Sequence, residues 1–260
     1  MALPSILLLL TFVFGVLATA GFALVMGSGP ALDDNPQLGG VIAAISAAIA
    51  AGAAWLHWRR FRVPITVAAW ALSVAGIAVG LLVAALGETA EQSQSLILGF
   101  VLFLGIGTFL FAMWWDGSDR ARLTRRADVA FWLHLLAAPM IVHPIFTLLG
   151  LNNNTATISE GFVVILLYIV LGLTALAVDR RALLVSALAY VLYALNALFQ
   201  QFGAVELNVA LTALVIGSAL LMLSAFWTQT RAAIVGPLPE GLRERLPLVN
   251  RPSASPAQAA

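Results

Sequence analysis

Apolar residues in this chain occur in long continuous runs separated by short polar stretches. A helix needs about 20 apolar residues to cross a bilayer core of about 30 Å, and eight runs meet that requirement. These runs span residues 4–26, 38–56, 64–87, 96–115, 128–149, 161–178, 182–203 and 205–227. The pattern predicts an all-α integral membrane protein, a bundle of about eight transmembrane helices. A count of seven stays open, because the sixth run is the shortest and the last two are joined tightly. Membrane strands are disfavoured, since the runs do not alternate between apolar and polar positions.

The first run also invites interpretation as a secretory signal peptide, because Ala18-Thr19-Ala20 resembles a signal-peptidase site. A signal peptide carries basic residues ahead of a short apolar stretch. Here no arginine precedes the run, and the apolar residues continue past the candidate cleavage point to Met26. We therefore expect the first run to be retained as a transmembrane helix.

Basic residues are confined to alternate connections between the predicted spans. All 13 of them are arginines, which follow the second, fourth, sixth and eighth spans. The other connections carry only acidic charge: Asp33, Asp34, Glu88, Glu91, Glu160 and Glu206. Because short cytoplasmic loops are enriched in arginine, this distribution predicts that both termini are cytoplasmic. The Ala- and Arg-rich, lysine-free composition indicates a bacterial inner membrane.

The overall composition agrees with a membrane protein and excludes several kinds of chemistry. The chain is 62% hydrophobic and only 10% charged, with a mean hydropathy of +1.00, whereas ordinary soluble domains are about 25% charged. It contains no cysteine and no lysine. Disulfides, thiolate metal sites, thiol nucleophiles and lysine Schiff bases are therefore ruled out.

Ionisable groups are scarce within the predicted spans, and this argues against most catalytic and ion-coupled functions. Buried carboxylates usually mark ion paths and proton relays in membranes, and none lies deep in a span. Paired aspartates for magnesium-bound diphosphate, or for an aspartyl protease, are also missing. His134 and His143 are nine residues apart, on opposite sides of an ideal helix, so they cannot share a metal. We predict no metal, no cofactor and no catalytic residue; the sequence leans against an enzyme.

The fifth span, FWLHLLAAPMIVHP at residues 131–144, combines these histidines with Pro139 and Pro144. Each proline removes a helical hydrogen bond and crowds the carbonyl four residues earlier, so we predict a kink. His143 lies roughly 22 Å along the helix from Asp128, at 1.5 Å per residue. Polar residues of the next two spans fall at a similar level. We hypothesise a polar pocket open to the outside, with these members: His143, Tyr168, Tyr193, Asn196 and Gln200. The alternative is that the same groups only join helices by hydrogen bonds.

Small residues recur every fourth position in the second and third spans. Gly40, Ala44, Ala48 and Gly52 form one stripe, and Gly76, Gly80 and Ala84 form another. Such stripes allow close helix approach, so we expect both helices to contact other helices there. A weak resemblance between LFAMW (110–114) and LSAFW (223–227) is compatible with a 4+4 parallel repeat. His57, beside Trp55 and Trp58, is interpreted as an interfacial anchor.

Residues 1–230 are predicted to form the transmembrane domain and residues 231–260 a cytoplasmic, disordered tail, because the tail is rich in Pro, Ala and Ser. The stretch RARLTRR holds a basic cluster that could contact anionic lipid headgroups; its members are Arg120, Arg122, Arg125 and Arg126. The partners we expect are membrane lipids and, in an assembly, other membrane proteins or further copies of the chain. Nothing indicates nucleic acid.

Two functional hypotheses follow from the sequence. The first is a permease or channel-like protein for a small neutral or lipophilic compound, based on the proline-containing fifth span and the absent buried carboxylates. The second is a structural or assembly subunit without chemistry of its own, based on the small-residue stripes. An enzyme that uses His134 or His143 as a general base is the weakest alternative, since no nucleophile or acid is paired with either.

Overall fold

The computed structural model describes residues 2–32, 35–150, 158–181, 184, 188, 217–218, 221–244 and 246–248. Every regular element in these ranges is helical. The helices are α1 (Ala2–Ser28), α2 (Pro36–Phe61), α3 (Ile65–Leu86), α4 (Gln94–Ser118), α5 (Arg125–Leu148), α6 (Ile158–Val178), α7 (Trp227–Val235) and α8 (Glu240–Arg243). Short 3-10 turns at Gly29–Leu32 and Gly87–Thr89 follow α1 and α3.

Five of these helices, α1 to α5, are long and apolar enough to cross a membrane. Many of their large apolar side chains are exposed, as Leu8, Phe22 and Phe103 are, which suits a lipid environment. The prediction of an all-α fold compatible with a membrane helical bundle is therefore confirmed. The count of eight and the cytoplasmic termini stay predictions. Of the seventh predicted span the structure describes only residues 184 and 188, and of the eighth only residues 217–218 and 221–227.

The chain divides into two compact units. Unit 1 comprises Met1–Ala112 and Asp128–Pro144, and unit 2 comprises Met113–Ala127 and Ile145–Ala260. Helices α4 and α5 contribute residues to both units. Each unit is described separately below.

Local sequence explains the α2–α3 hairpin of unit 1. The Asn35 side chain accepts a hydrogen bond from the N–H of Leu38 (3.0 Å), and Pro36 occupies the first turn, where its missing N–H costs nothing. The helix ends at Arg62, which adopts the left-handed conformation (φ 53°) and donates its N–H to Trp58. Helix α3 then begins at Ile65, directly after Pro64.

The two small-residue stripes bring α2 and α3 into backbone contact. A Cβ added at Gly80 would lie 2.7 Å from the Ala44 nitrogen and 3.0 Å from the Gly40 oxygen. A Cβ added at Gly40 would collide with the Ala84 nitrogen. Part of each predicted stripe therefore serves to pack these two helices against each other. Gly52, at the end of the α2 stripe, is exposed with nothing near it.

Helix α1 packs against the same hairpin. Leu9 and Val13 of α1 form a buried cluster with Ala50 and Ala54 of α2 and with Ile65 of α3. A Cβ added at Gly21 would lie 3.5 Å from the Ser46 hydroxyl, so α1 and α2 stay close further along. The first predicted span is thus an integral part of unit 1.

Helix α5 runs without a break from Arg125 to Leu148 and contains both prolines. Pro144 leaves the Met140 carbonyl without its usual helical donor. A Cβ added at Gly105 of α4 would lie 2.8 Å from that carbonyl oxygen. The glycine therefore lets α4 approach α5 beside the proline; the size of a kink stays a prediction.

Unit 2 includes much of the segment that we expected to be a tail. Helix α7 extends across the predicted boundary at residue 231, and α8 follows it. Leu246 and Pro247 are buried. Residues 249–260 lie outside the described part of the chain, and the boundary between the transmembrane domain and the tail stays a prediction.

Candidate functional site

A groove of about 560 Å³ opens between α1 and α2 of unit 1. Six of its eight lining residues are apolar and two, Ser5 and His57, are polar. The full lining is Ser5, Leu8, Phe12, Ala53, Leu56, His57, Phe61 and Val63. Its volume falls in the range of pockets that bind small molecules, which are mostly apolar with a few polar groups.

Helical periodicity explains why these residues share the groove. On α1, Ser5, Leu8 and Phe12 are spaced by three and four residues, so they lie on one face. The α2 residues Ala53, Leu56, His57 and Phe61 show the same spacing. Next to the groove, the buried cluster of Leu9 and its neighbours packs α1 against α2. The groove lies where these two helices are not in contact.

His57 is held in a defined orientation at the groove. Its Nδ1 lies 3.2 Å from the hydroxyl oxygen of Thr66, a fully buried residue of α3. Its ring centroid is 4.7 Å from that of Phe61 and 6.2 Å from that of Phe12. The interfacial-anchor interpretation of His57 missed this interhelical contact. The groove can thus offer an oriented hydrogen-bonding group within an apolar surface.

Unit 2 contains a buried ion pair that the sequence analysis did not find. The Asp116 side chain is fully buried, and Arg180 binds it through two hydrogen bonds, Nη2 to Oδ1 (2.6 Å) and Nε to Oδ2 (3.2 Å). Arg180 also donates to the Ala127 carbonyl (2.9 Å). This bidentate geometry is the strong form of an arginine–carboxylate pair.

A second pair lies in the same unit, at the end of α6. Arg122 donates to the Asp179 carboxylate (2.8 Å) and to the Val178 carbonyl (3.1 Å). Both Arg122 and Asp179 have φ of 58°, a left-handed conformation that is uncommon for residues other than glycine. Trp227 donates its indole N–H to the other carboxylate oxygen of Asp179 (2.7 Å). The arginine satisfies carbonyls left open by the helix end and complements its negative dipole.

Two further arginines tie the C-terminal segment to unit 2. Arg231 is buried and donates to carbonyls of Leu176 (3.1 Å) and Pro247 (2.6 Å). Arg120 donates to the Leu246 carbonyl (3.1 Å). These contacts explain why residues 246–248 are held in place. These arginines and those of the two ion pairs have a structural role, because their guanidinium groups donate hydrogen bonds to carboxylates and carbonyls of the protein.

The turn between α4 and α5 is organised by Asp119. Its carboxylate accepts hydrogen bonds from the Thr124 hydroxyl (2.7 Å), the Thr124 N–H (2.8 Å) and the Leu123 N–H (3.1 Å). Partial burial alone would raise the pKa of Asp119, but these hydrogen bonds outweigh it and hold the pKa below its ordinary value. The side chain is therefore charged at neutral pH and supports the turn.

The residues of the predicted polar pocket are only partly described. His143, in unit 1, is exposed, and Tyr168, in unit 2, is half-buried. Tyr193, Asn196 and Gln200 lie outside the described residues, so the pocket stays a prediction. His134 is buried, with its ring edge-on to Phe109 at a centroid distance of 5.2 Å.

The predicted lipid-binding arginines divide into two kinds. Arg120 and Arg122 make the intramolecular hydrogen bonds described above, whereas Arg125 and Arg126 are exposed. Headgroup contact by these four arginines stays a prediction. Within the described residues no group of three or more His, Asp or Glu side chains is placed to hold a metal ion.

Comparison of the sequence with known protein families and with curated proteins, and of the fold with solved structures, found no match.

Proposed function

We propose that this protein is a permease-like membrane protein that takes a small, neutral, lipophilic compound from the bilayer into the α1–α2 groove. The observation that carries the proposal is the groove itself, with apolar walls and one oriented histidine. An apolar compound in the bilayer could enter it without crossing a charged surface.

The alternative, a subunit that works only by contacting other proteins, loses part of its support. It rested on the small-residue stripes, and α2 and α3 use Gly40, Ala44, Gly80 and Ala84 to contact each other. The part of each stripe that is occupied within the chain is no argument for an external partner, and on α2 this leaves only Ala48 and Gly52, which are exposed. The groove, in contrast, has room for a ligand.

We further propose that the groove opens near the cytoplasmic side of a bacterial inner membrane. The reason is that His57 and Phe61 immediately adjoin Arg59, Arg60 and Arg62, and arginines mark cytoplasmic connections. Reporter fusions at this connection would test the orientation; an external signal there would contradict it.

Ligand binding can be tested by filling the groove. The protein in lipid nanodiscs would be photolabelled with a radioactive alkyl diazirine, with and without excess unlabelled alkane. We expect saturable labelling of residues 5–12 and 53–63. Ala53→Trp should remove most of it, because the indole would occupy the space beside Leu56 and His57. Ala43→Trp, at an exposed position of the same helix, is the matched control and should label like the wild type.

Two outcomes would contradict the proposal. Labelling that excess alkane does not reduce would mean that the probe reports only general lipid exposure. Equal labelling of Ala53→Trp and Ala43→Trp would place the bound compound outside the groove. Uptake of the same alkane probe into protein-containing vesicles, compared between these two variants, then tests movement as distinct from binding.

A further inference from the structure

His57 and Thr66 together define what kind of atom the groove can bind. The hydroxyl of Thr66 is fully buried, and a buried hydroxyl needs an acceptor for its proton. Within the described residues its only hydrogen bond is the one to Nδ1 of His57. The backbone N–H of Thr66 is separately bonded to the Val63 carbonyl.

The tautomer of the imidazole is assigned from this hydrogen bond. A neutral imidazole has one donor nitrogen and one acceptor nitrogen. If Thr66 donates its proton to Nδ1, then Nδ1 is the acceptor and Nε2 carries the hydrogen. The reverse arrangement would leave the buried Thr66 proton without a described acceptor.

The donor at Nε2 lies on the edge of the ring opposite to Thr66. The ring itself lies beside Phe61 and Phe12, and all three residues line the groove. We infer that the groove binds a lipophilic carbonyl compound, whose apolar chain lies along the α1–α2 walls and whose oxygen accepts a hydrogen bond from His57 Nε2–H. This inference rests on the proposed function and specifies its ligand class.

The test compares two probes that differ only in the carbonyl group, 2-tridecanone and tridecane, with the full-length protein in nanodiscs. We expect the wild type to bind the ketone about fivefold more tightly, the factor that corresponds to one net hydrogen bond. An infrared measurement with 2-tridecanone ¹³C-labelled at the carbonyl should show its stretch moving to lower frequency on binding.

Three variants separate the hydrogen bond from the shape of the groove. His57→Phe keeps an aromatic ring against Phe12 and Phe61 but has no N–H, so the ketone preference and the infrared shift should disappear while tridecane still binds. Thr66→Val removes the hydroxyl that orients the ring through Nδ1 and should reduce the preference, while the donor at Nε2 is kept. Thr66→Ser keeps the hydroxyl and should retain it. Size-exclusion profiles and thermal melts identify any variant that is misfolded, and the Ser and Val pair remains informative if His57→Phe fails to fold.

The outcomes distinguish the two proposals. Equal, saturable binding of ketone and alkane by the wild type overturns the carbonyl inference and leaves the groove proposal standing. Saturable binding of neither probe overturns both. An undiminished ketone preference in Thr66→Val shows that Thr66 does not orient the donor and overturns that part of the inference, and an undiminished preference in His57→Phe overturns the assignment of His57 as the donor.

Discussion

The close approach of α2 and α3 predicts a sharp difference between two glycines of the same helix. Gly40 faces α3, and a methyl group placed there would collide with the Ala84 nitrogen and lie 2.8 Å from both the Ala84 Cα and the Gly80 oxygen. Ordinary contacts are about 3.5–4.0 Å. Because these are backbone atoms, relief requires the helices to separate by about 1 Å along much of their contact.

The expected magnitude follows from two opposing effects. Overpacking of this kind costs about 1–3 kcal/mol, and replacing glycine by alanine within a helix returns up to about 1 kcal/mol. Because the clash is with backbone atoms that cannot rotate away, the overpacking cost should lie at its upper end, and Gly40→Ala should lower the free energy of unfolding by about 2 kcal/mol. Gly52→Ala is the control on the same helix: nothing lies within 4 Å of its added methyl group, so it should be neutral or slightly stabilising.

Reversible unfolding in mixed micelles, followed by helical circular dichroism as the proportion of sodium dodecyl sulfate rises, would measure both variants against the wild type. The midpoint of Gly40→Ala should move to less denaturant, and that of Gly52→Ala should not. If both variants shift alike, or if Gly40→Ala is as stable as the wild type, α2 and α3 do not make the backbone contact described above.

Three further predictions concern unit 2. Arg180→Met leaves the buried Asp116 carboxylate without its bidentate partner. Arg122 remains 3.7 Å from the carboxylate, so the cost should be about 3 kcal/mol, the low end for a broken buried pair, in the same unfolding assay. Arg126→Gln, at an exposed site, should change stability by less than about 0.5 kcal/mol. Trp227→Phe removes the donor to Asp179 and should cost about 2 kcal/mol; an unchanged midpoint would exclude that hydrogen bond. The folded pKa of Asp119 lies below its ordinary value. The stability that this carboxylate contributes is therefore present above the unfolded pKa of about 4 and is lost as pH falls through the folded pKa. Asp119→Asn should be less stable than the wild type near neutral pH and equal to it in strong acid; a difference that does not depend on pH would refute this.

Much of the fold could be predicted because membrane burial imposes simple rules. A span of about 20 apolar residues has few structures available other than a helix, so the positions of α1 to α5 follow from the runs of apolar residues. The stripes at Gly40 and Gly80 likewise predicted helix contact. The identity of the partner could not be predicted, because a small residue shows only that something approaches closely.

The candidate site was harder to predict, because its residues have ordinary alternative roles. His57 stands beside tryptophans and arginines, a setting typical of an interfacial anchor, and only the position of Thr66 on the next helix reveals its contact. The spacing of Ser5, Leu8 and Phe12 was visible in the sequence, but apolar residues at helical spacing occur on every face of a membrane helix. Asp116 was overlooked because it stands directly after the fourth apolar run, where a charged residue has the ordinary role of ending a span.

The hairpin packing and the groove depend on the same pair of helices. His57 belongs to α2 and Thr66 to α3, so their hydrogen bond has a defined geometry only if the two helices have a defined separation. The contacts between Gly40 and Ala84 and between Gly80 and Ala44 set the lower limit of that separation, because backbone atoms already in contact cannot approach further. Close packing on one side of α2 thus positions the histidine that faces α1 on another side. This explains how a chain with few polar residues in its spans can still present a polar group in one orientation, and why we place its function at the groove.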